Sequence, residues 1–213
     1  MDEDIKDKIL RGAENLFNKY GIRSVSMDDI ARHLSISKKT IYQYFADKDD
    51  LVTLMATTHL QRERTMYEAI HTKAENAIHE LALISACLKK SFEELNTSMI
   101  FDLQKYHPKA WNVFVEFENK HVHAAVVKNI KQGMAEGFFR ADLNPDVLAK
   151  ARIKLVQLCI DSDTFPRDRY NLAEVQLHLF EHFVYGLVTE KGRKQFEKYK
   201  NHYTLNPLLI STI

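Results

Sequence analysis

The chain has 213 residues, of which 45% are hydrophobic and 28% charged, and its 30 basic and 29 acidic side chains leave a formal charge of +1. That length accommodates one large or two small domains with a genuine apolar core. The near-neutral balance excludes a protein that holds polyanions by bulk charge alone. Only six glycines and four prolines interrupt the chain, and no segment alternates with the period of a strand, so the expected fold class is all-α. Cys87 and Cys159 lie in apolar helical patterns without a CxxC spacing and read as buried, reduced thiols. The start MDEDIKDK lacks the apolar core of a secretory signal, and no apolar run is long enough to span a membrane. A cytoplasmic location without membrane contact, cofactor or metal is the resulting expectation.

In chain order, the first helix is predicted over roughly Asp4 to Tyr20. Ile5, Ile9, Ala13, Leu16, Phe17 and Tyr20 form its inward stripe, and Gly21 ends it. Asp2, Glu3, Asp4 and Asp7 suit the positive end of its dipole. Ser26 followed by Asp29 is a capping box, so a second helix starts near Met27, with Ile30, Ala31 and Leu34 on one face. Ser35-Ile36-Ser37 is a three-residue connection with Ile36 as the apolar plug. Ser37 caps a third helix, whose Ile41 and Phe45 turn back to the core. Lys38, Lys39, Thr40, Tyr42, Gln43 and Tyr44 are left outward. Such side chains can donate to phosphates or reach base edges in the major groove, and none is needed for a core.

This layout resembles the DNA-binding domain of TetR-family transcriptional regulators. The resemblance rests on Phe17-Asn18-Lys19-Tyr20-Gly21, Ser26-Met27-Asp28-Asp29-Ile30-Ala31, Ser37 to Phe45, and Asp47-Lys48-Asp49-Asp50-Leu51 at the start of a fourth helix. It covers about the first quarter of the chain. Ser35 stands where the family often has glycine, and a serine there must accept a left-handed backbone or a different turn, at roughly 1 kcal/mol. The resemblance implies a three-helix helix-turn-helix domain at 1–47, joined by a long helix to a helical ligand-binding and dimerisation domain at 48–213. On this reading Lys38, Lys39 and Gln43 approach bases, while Ser26, Thr40, Tyr42, Tyr44 and Lys48 hold the phosphate backbone.

Asp47 is expected to cap a helix from Lys48 to about His71, about 36 Å long. Further helices are expected near Lys73–Lys90, Phe92–Lys105, Pro108–Glu136, Pro145–Asp163 and Leu172–Glu190. On the last two, the apolar band is broad enough for burial on two sides, within the subunit and against a partner. Leu155, Leu158, Leu172, Val175, Leu179, Phe183 and Leu187 carry it. The resemblance implies a homodimer through these helices, although a position central to a monomer explains the band too. Two recognition helices about 34 Å apart would read a palindrome in double-stranded DNA. The family places a small-molecule pocket among the middle helices. Met55, Phe101, Trp111, Phe114, Phe117 and His121 are its candidate wall, and they suit a small apolar effector; an ordinary helix-bundle core accounts for the same residues.

Two other classes of function remain open from the residues. Glu68-x-x-His71 and Glu118-x-x-His121 each place a carboxylate and an imidazole one turn apart, half of a di-metal carboxylate enzyme site. A helical scaffold that binds only protein explains the bundle, but leaves the polar face of the third helix without a purpose. The favoured reading is a ligand-responsive bacterial transcriptional regulator, a repressor rather than an activator, without enzymatic activity.

Overall fold

The computed structural model describes the backbone of residues 2–205 and the side chains of residues 4–200. The described residues are helical, with an isolated antiparallel bridge between Phe139 and Val188. The helices are α1 (Asp2–Tyr20), α2 (Met27–Leu34), α3 (Lys38–Tyr42), α4 (Lys48–Lys73), α5 (Ala77–Glu93) and α6 (Thr97–Tyr106). They continue with α7 (Pro108–Phe117), α8 (His123–Ala135), α9 (Pro145–Ile160), α10 (Leu172–Leu187) and α11 (Glu190–Leu205). The chain forms two compact units, one of Met1–Arg62 with Leu95–Phe117, the other of Glu63–Glu94 with Glu118–Ile213. These units do not part at Asp47–Lys48: the first half of α4 and all of α6 and α7 pack with the helix-turn-helix.

The first unit is built on the stripe expected of α1. Ile9, Ala13 and Phe17 meet Met27, Ile30 and Ala31 of α2, then Ile41 and Phe45 around α3, then Leu51, Val52 and Met55 of α4. Leu103 of α6 and Ala110 of α7 complete this core. Polar contacts fasten the same two helices: the Arg23 backbone N–H donates to Asp102 Oδ2 at 2.8 Å, and His107 Nδ1 lies 2.8 Å from Asp49 Oδ1. Burying the apolar faces of α6 and α7 here makes them part of the first unit's core.

Two predicted helices are redrawn. The one expected near Phe92–Lys105 begins only at Thr97, because Asn96 is an N-cap: its side chain accepts from Ser98 N at 3.0 Å and its Nδ2 donates to Asn18 O at 2.6 Å. The helix expected over Pro108–Glu136 is broken by a π-helical turn at Glu118–Val122. A π turn inserts one residue into the α-helical repeat and so rotates the faces on either side of it. That rotation falls where the chain passes from the first unit to the second.

In the second unit Ala77, Ile78 and Leu81 of α5 pack with Ile130 of α8, Phe180, Phe183, Val184 and Leu187 of α10, and Phe139 and Phe196. Phe196 lies on α11, so the segment from Gly192 to Leu205 is helical and Phe196 contributes to the core. Tyr199 stacks on His79 at 4.6 Å and donates its hydroxyl to Glu75 Oε2 at 2.9 Å. Leu208, Leu209 and Ile210 lie outside the described residues. Gly133 permits the close approach of Phe139, since a Cβ at position 133 would lie 2.2 Å from that ring. We therefore expect Gly133→Ala to lower stability by about 1–3 kcal/mol through overpacking, read as a fall in the urea midpoint with an unchanged slope. An unaltered midpoint would show that the ring can move aside.

Candidate nucleic-acid interface

The recognition surface begins with a reciprocal cap. Asp29 N donates to Ser26 Oγ at 3.2 Å and Ser26 N donates to Asp29 Oδ2 at 2.9 Å, closing the capping box of α2. These hydrogen bonds from the Ser26 hydroxyl and backbone hold the Asp29 carboxyl below its ordinary range. At the other end of α2, Ser35 sits at φ 54°, ψ 40°, the left-handed conformation that its position requires. This lets Ile36 N donate to Ala31 O at 3.0 Å and reverses the chain in one turn. Ser37 then caps α3 by accepting from Thr40 N at 3.0 Å, and the two hydroxyls lie 2.8 Å apart. Buried Ile41 and Phe45 fix the inner face of α3.

The outer face sorts the predicted DNA contacts. Lys39, Tyr42 and Gln43 are exposed, Tyr42 to 44%. Lys38 is exposed as well and forms an ion pair with Asp28 at 2.9 Å, which raises its pKa. Ser26 and Thr40 take part in caps. Tyr44 is half-buried against the core, so its ring braces the domain.

Lys48 departs most from expectation. Its Nζ donates to the carbonyls of Ile22 and Val25 at 2.5 and 2.6 Å and lies 5.7 Å from the centre of the Phe17 ring. Burial pushes its pKa down, opposed by the charges of Asp102 and Asp29. Two of its donors are spent on the α1–α2 loop, and the expected phosphate hand is in this structure a clamp. The first turn of a helix suits either role, and only the long-range contact decides.

The other predicted groups separate as follows. Met55, Trp111 and Phe114 belong to or pack on the first unit's core, with the rings of Trp111 and Phe114 stacked at 6.1 Å. Phe101 is 54% exposed, with Lys105 over its ring, and so walls no enclosed space. Phe117 belongs to the first unit and His121, on the π turn, to the second. Among the residues expected at a dimer interface, Val175, Phe183 and Leu187 are buried within the subunit, whereas Leu158 is exposed and Leu155, Leu172 and Leu179 are half-buried. The helical period places all seven on one band, but it is the packing against α5 that decides which are consumed.

The carboxylate–imidazole pairs are engaged elsewhere. Glu68 accepts from Arg64 Nε at 2.8 Å, His71 lies 3.0 Å from Glu80, and Glu118 accepts from Gln157 Nε2 at 2.7 Å. Burial raises the pKa of Glu118. No group of three or more metal-binding side chains is present among the described residues. Arg152, hidden in the sequence by its apolar neighbours on α9, is a buried cation in the second unit.

Two short helices joined by a left-handed turn, braced by a third and presenting exposed Lys39, Tyr42 and Gln43, define a helix-turn-helix DNA-binding domain. Residues 9–55 match the family of "Bacterial regulatory proteins, tetR family". The HTH-type transcriptional regulator YvaF of Bacillus subtilis strain 168 is 25% identical over 188 residues, covering 86% of this chain and 96% of that one. The HTH-type transcriptional repressor KstR2 of Mycobacterium tuberculosis is 23% identical over 146 residues, covering 67% and 73%. A transcriptional regulator from Saccharomonospora viridis, solved in complex with choline, shares the fold with a TM-score of 0.69 at 20% identity, covering 88% of this chain and all of that one. The chain is a DNA-binding transcriptional regulator whose residues 9–55 form a tetR-family DNA-binding domain.

Two outcomes follow from these environments. Lys48→Ala removes two charge-assisted hydrogen bonds and is expected to lower stability by about 2 kcal/mol, whereas Lys39→Ala should stay within about 0.5 kcal/mol; chemical denaturation measures both. The Cys87 thiol is pushed up by burial, and that of Cys159 to about 11. Native protein at neutral pH should therefore resist iodoacetamide at both positions, while urea-unfolded protein is alkylated rapidly, as mass spectrometry will show.

Proposed function

We propose that the protein acts in the cytoplasm as a homodimeric repressor that releases a palindromic operator when a small effector, largely apolar in body, binds. The observation that carries the DNA-reading part is the exposed set Lys39, Tyr42 and Gln43, on a helix whose opposite face is wholly committed to the core. In this reading Lys39 and Gln43 approach base edges and Tyr42 a phosphate. Lys38 exchanges Asp28 for DNA, and Ser26 and Thr40 face the backbone from the helix N-termini, where unpaired N–H groups favour anions. Lys48 acts indirectly, through the loop it clamps.

DNA reading is assigned to residues 1–47, and effector binding with dimerisation to 48–213, with α6 and α7 packed onto the DNA-reading part. The dimer surface is assigned to the outward side of α9 and α10, where Leu155, Leu158, Leu172 and Leu179 retain area that the subunit has not covered. Helix α4 is the element shared by both units, so an effector that prefers one setting of α4 by a few kcal/mol would change operator affinity. KstR2 is named a repressor, which supports repression here. No described helix is long and apolar enough to cross a membrane, in keeping with a cytoplasmic regulator. The relatives are named as regulators rather than enzymes, which supports a non-enzymatic role.

The test is binding to duplexes selected from a random pool, measured by fluorescence anisotropy over a salt series. A palindromic consensus should emerge with a steep salt dependence. Lys39→Ala should relax the selected consensus at one position of each half-site, and Lys39→Ala with Tyr42→Ala should abolish selection. Unchanged binding by the double variant would falsify this interface.

A further inference from the structure

Arg152 lies on the inward face of α9 and is 5% exposed. Its guanidinium sits 5.0 Å from the centre of the Phe180 ring and 6.0 Å from that of Phe183. Its Nη1 is buried without a hydrogen-bond partner, and among the described residues no carboxylate pairs with it. Gln176, one turn before Phe180 on α10, is 1% exposed, and both polar atoms of its amide are likewise unpartnered. Arg167 repeats the pattern: Nη2 donates to Ile160 O at 3.0 Å, while its buried Nε and Nη1 have no acceptor. That bond holds Arg167 at the C-terminal end of α9, the helix that carries Arg152.

Buried polar atoms in folded proteins are almost always hydrogen-bonded, and a buried charge without a partner costs several kcal/mol. The faces of Phe180 and Phe183 return part of that cost by cation–π attraction, but they leave the buried Nη1 donor of Arg152 without an acceptor. Burial accordingly lowers the Arg152 pKa to about 10. Donors outnumber acceptors in this cluster, and two of them carry a positive charge. A cationic ligand would be repelled, a neutral apolar one would leave every donor unmet, and an anion would satisfy them.

We propose that Arg152, supported by Gln176 and Arg167, is the anchor of the effector site and that the effector is an organic carboxylate, its apolar body against Phe180 and Phe183. The inference rests on the ligand-responsive reading above and adds to it the charge of the ligand and the place that recognises it. One carboxylate oxygen accepts from Arg152 Nη1. The Gln176 amide gains an acceptor for its Nε2, and the released energy couples ligand binding to the setting of α9 and α10.

The experiment compares 4-phenylbutyrate and octanoate with the alcohols and amines of the same carbon skeletons, using calorimetry and thermal unfolding of the full chain and of Arg152→Met. Operator release is measured in parallel. Both carboxylates should bind and raise the Tm of the wild type, and each alcohol and amine should bind at least about tenfold more weakly. Arg152→Met should lose that preference while melting about 3 °C or more above the wild type without ligand, because an unpaired buried charge has been replaced by an apolar side chain of similar length. A purely structural Arg152 predicts the reverse, a marked fall in Tm. That fall, equal binding of the alcohols, or binding of no probe overturns the proposal. Should the carboxylates bind through Arg152 without weakening operator binding, the anchor stands and the ligand-responsive reading fails. If an alcohol or amine releases the operator and the carboxylates do not, the outcome is the opposite.

Discussion

The ammonium group of Lys48 carries the geometry of the DNA-reading end. Between α1 and α2 the chain leaves a helix at Gly21, with φ 81°, and must bury Ile22 and Val25 before α2 begins. Burying these side chains takes their carbonyls out of water, and no helix or sheet supplies partners for them. Lys48 donates to both, beside the Val25 N–H that lies 3.3 Å from Ile22 O, while Asp102 takes the Arg23 N–H between them. Because Lys48 is also the first residue of α4, the loop that sets the start of α2 is pinned to the start of the long helix. The short α2–α3 pair has little local stability of its own, α3 being five residues long. Its orientation is therefore inherited from α1, from α4 and from this contact. A change in the first turn of α4 is then a change in the presentation of Lys39, Tyr42 and Gln43.

What was legible in the sequence is what local chemistry determines. The Ser26–Asp29 box, the Ser37 cap and the inward Ile41 and Phe45 follow from spacing within four residues, and each is present as expected, while of the two turns open to Ser35 the structure has the left-handed one. The roles of Lys48 and Asp102 depend on contacts 23 to 79 residues apart, and no local pattern encodes them. The same limit applies to the packing of α6 and α7 with the helix-turn-helix. Their apolar faces are evident in the sequence, but the surface that covers them is chosen by Asp102 and His107. The π turn at Glu118–Val122 was invisible because one inserted residue barely disturbs a 3.6-residue period, although it reorients every side chain beyond it.

The broad apolar band of α9 and α10 illustrates a different limit. Periodicity reports that a face is apolar without distinguishing a core from an interface. Packing against α5 and α11 consumes Phe183 and Leu187 and leaves Leu158 outside, so the band divides into an inner and an outer part only once the neighbours are in place. Within the inner part, Arg152 occupies a position between Ala149 and Ile153 that spacing alone would assign to an aliphatic residue.

Half-buried Lys48 and buried Arg152, one in each unit, show how this chain treats a desolvated charge. Around Lys48 the chain provides two carbonyls at hydrogen-bond distance, an aromatic face, and the fields of Asp102 and Asp29. That is the complete set of partners that makes burial of an ammonium group tolerable. Around Arg152 it provides two aromatic faces and the fields of Tyr67 and Cys159 but no acceptor for Nη1, and the Gln176 amide of the same unit makes neither of its own bonds. A side chain retained for packing would not need a charge in this position, since a methionine or leucine fills comparable volume without desolvating a guanidinium. The asymmetry is accordingly informative. Lys48 is satisfied from within because its task is to hold the fold, and Arg152 is left with open donors because its partner comes from outside the chain.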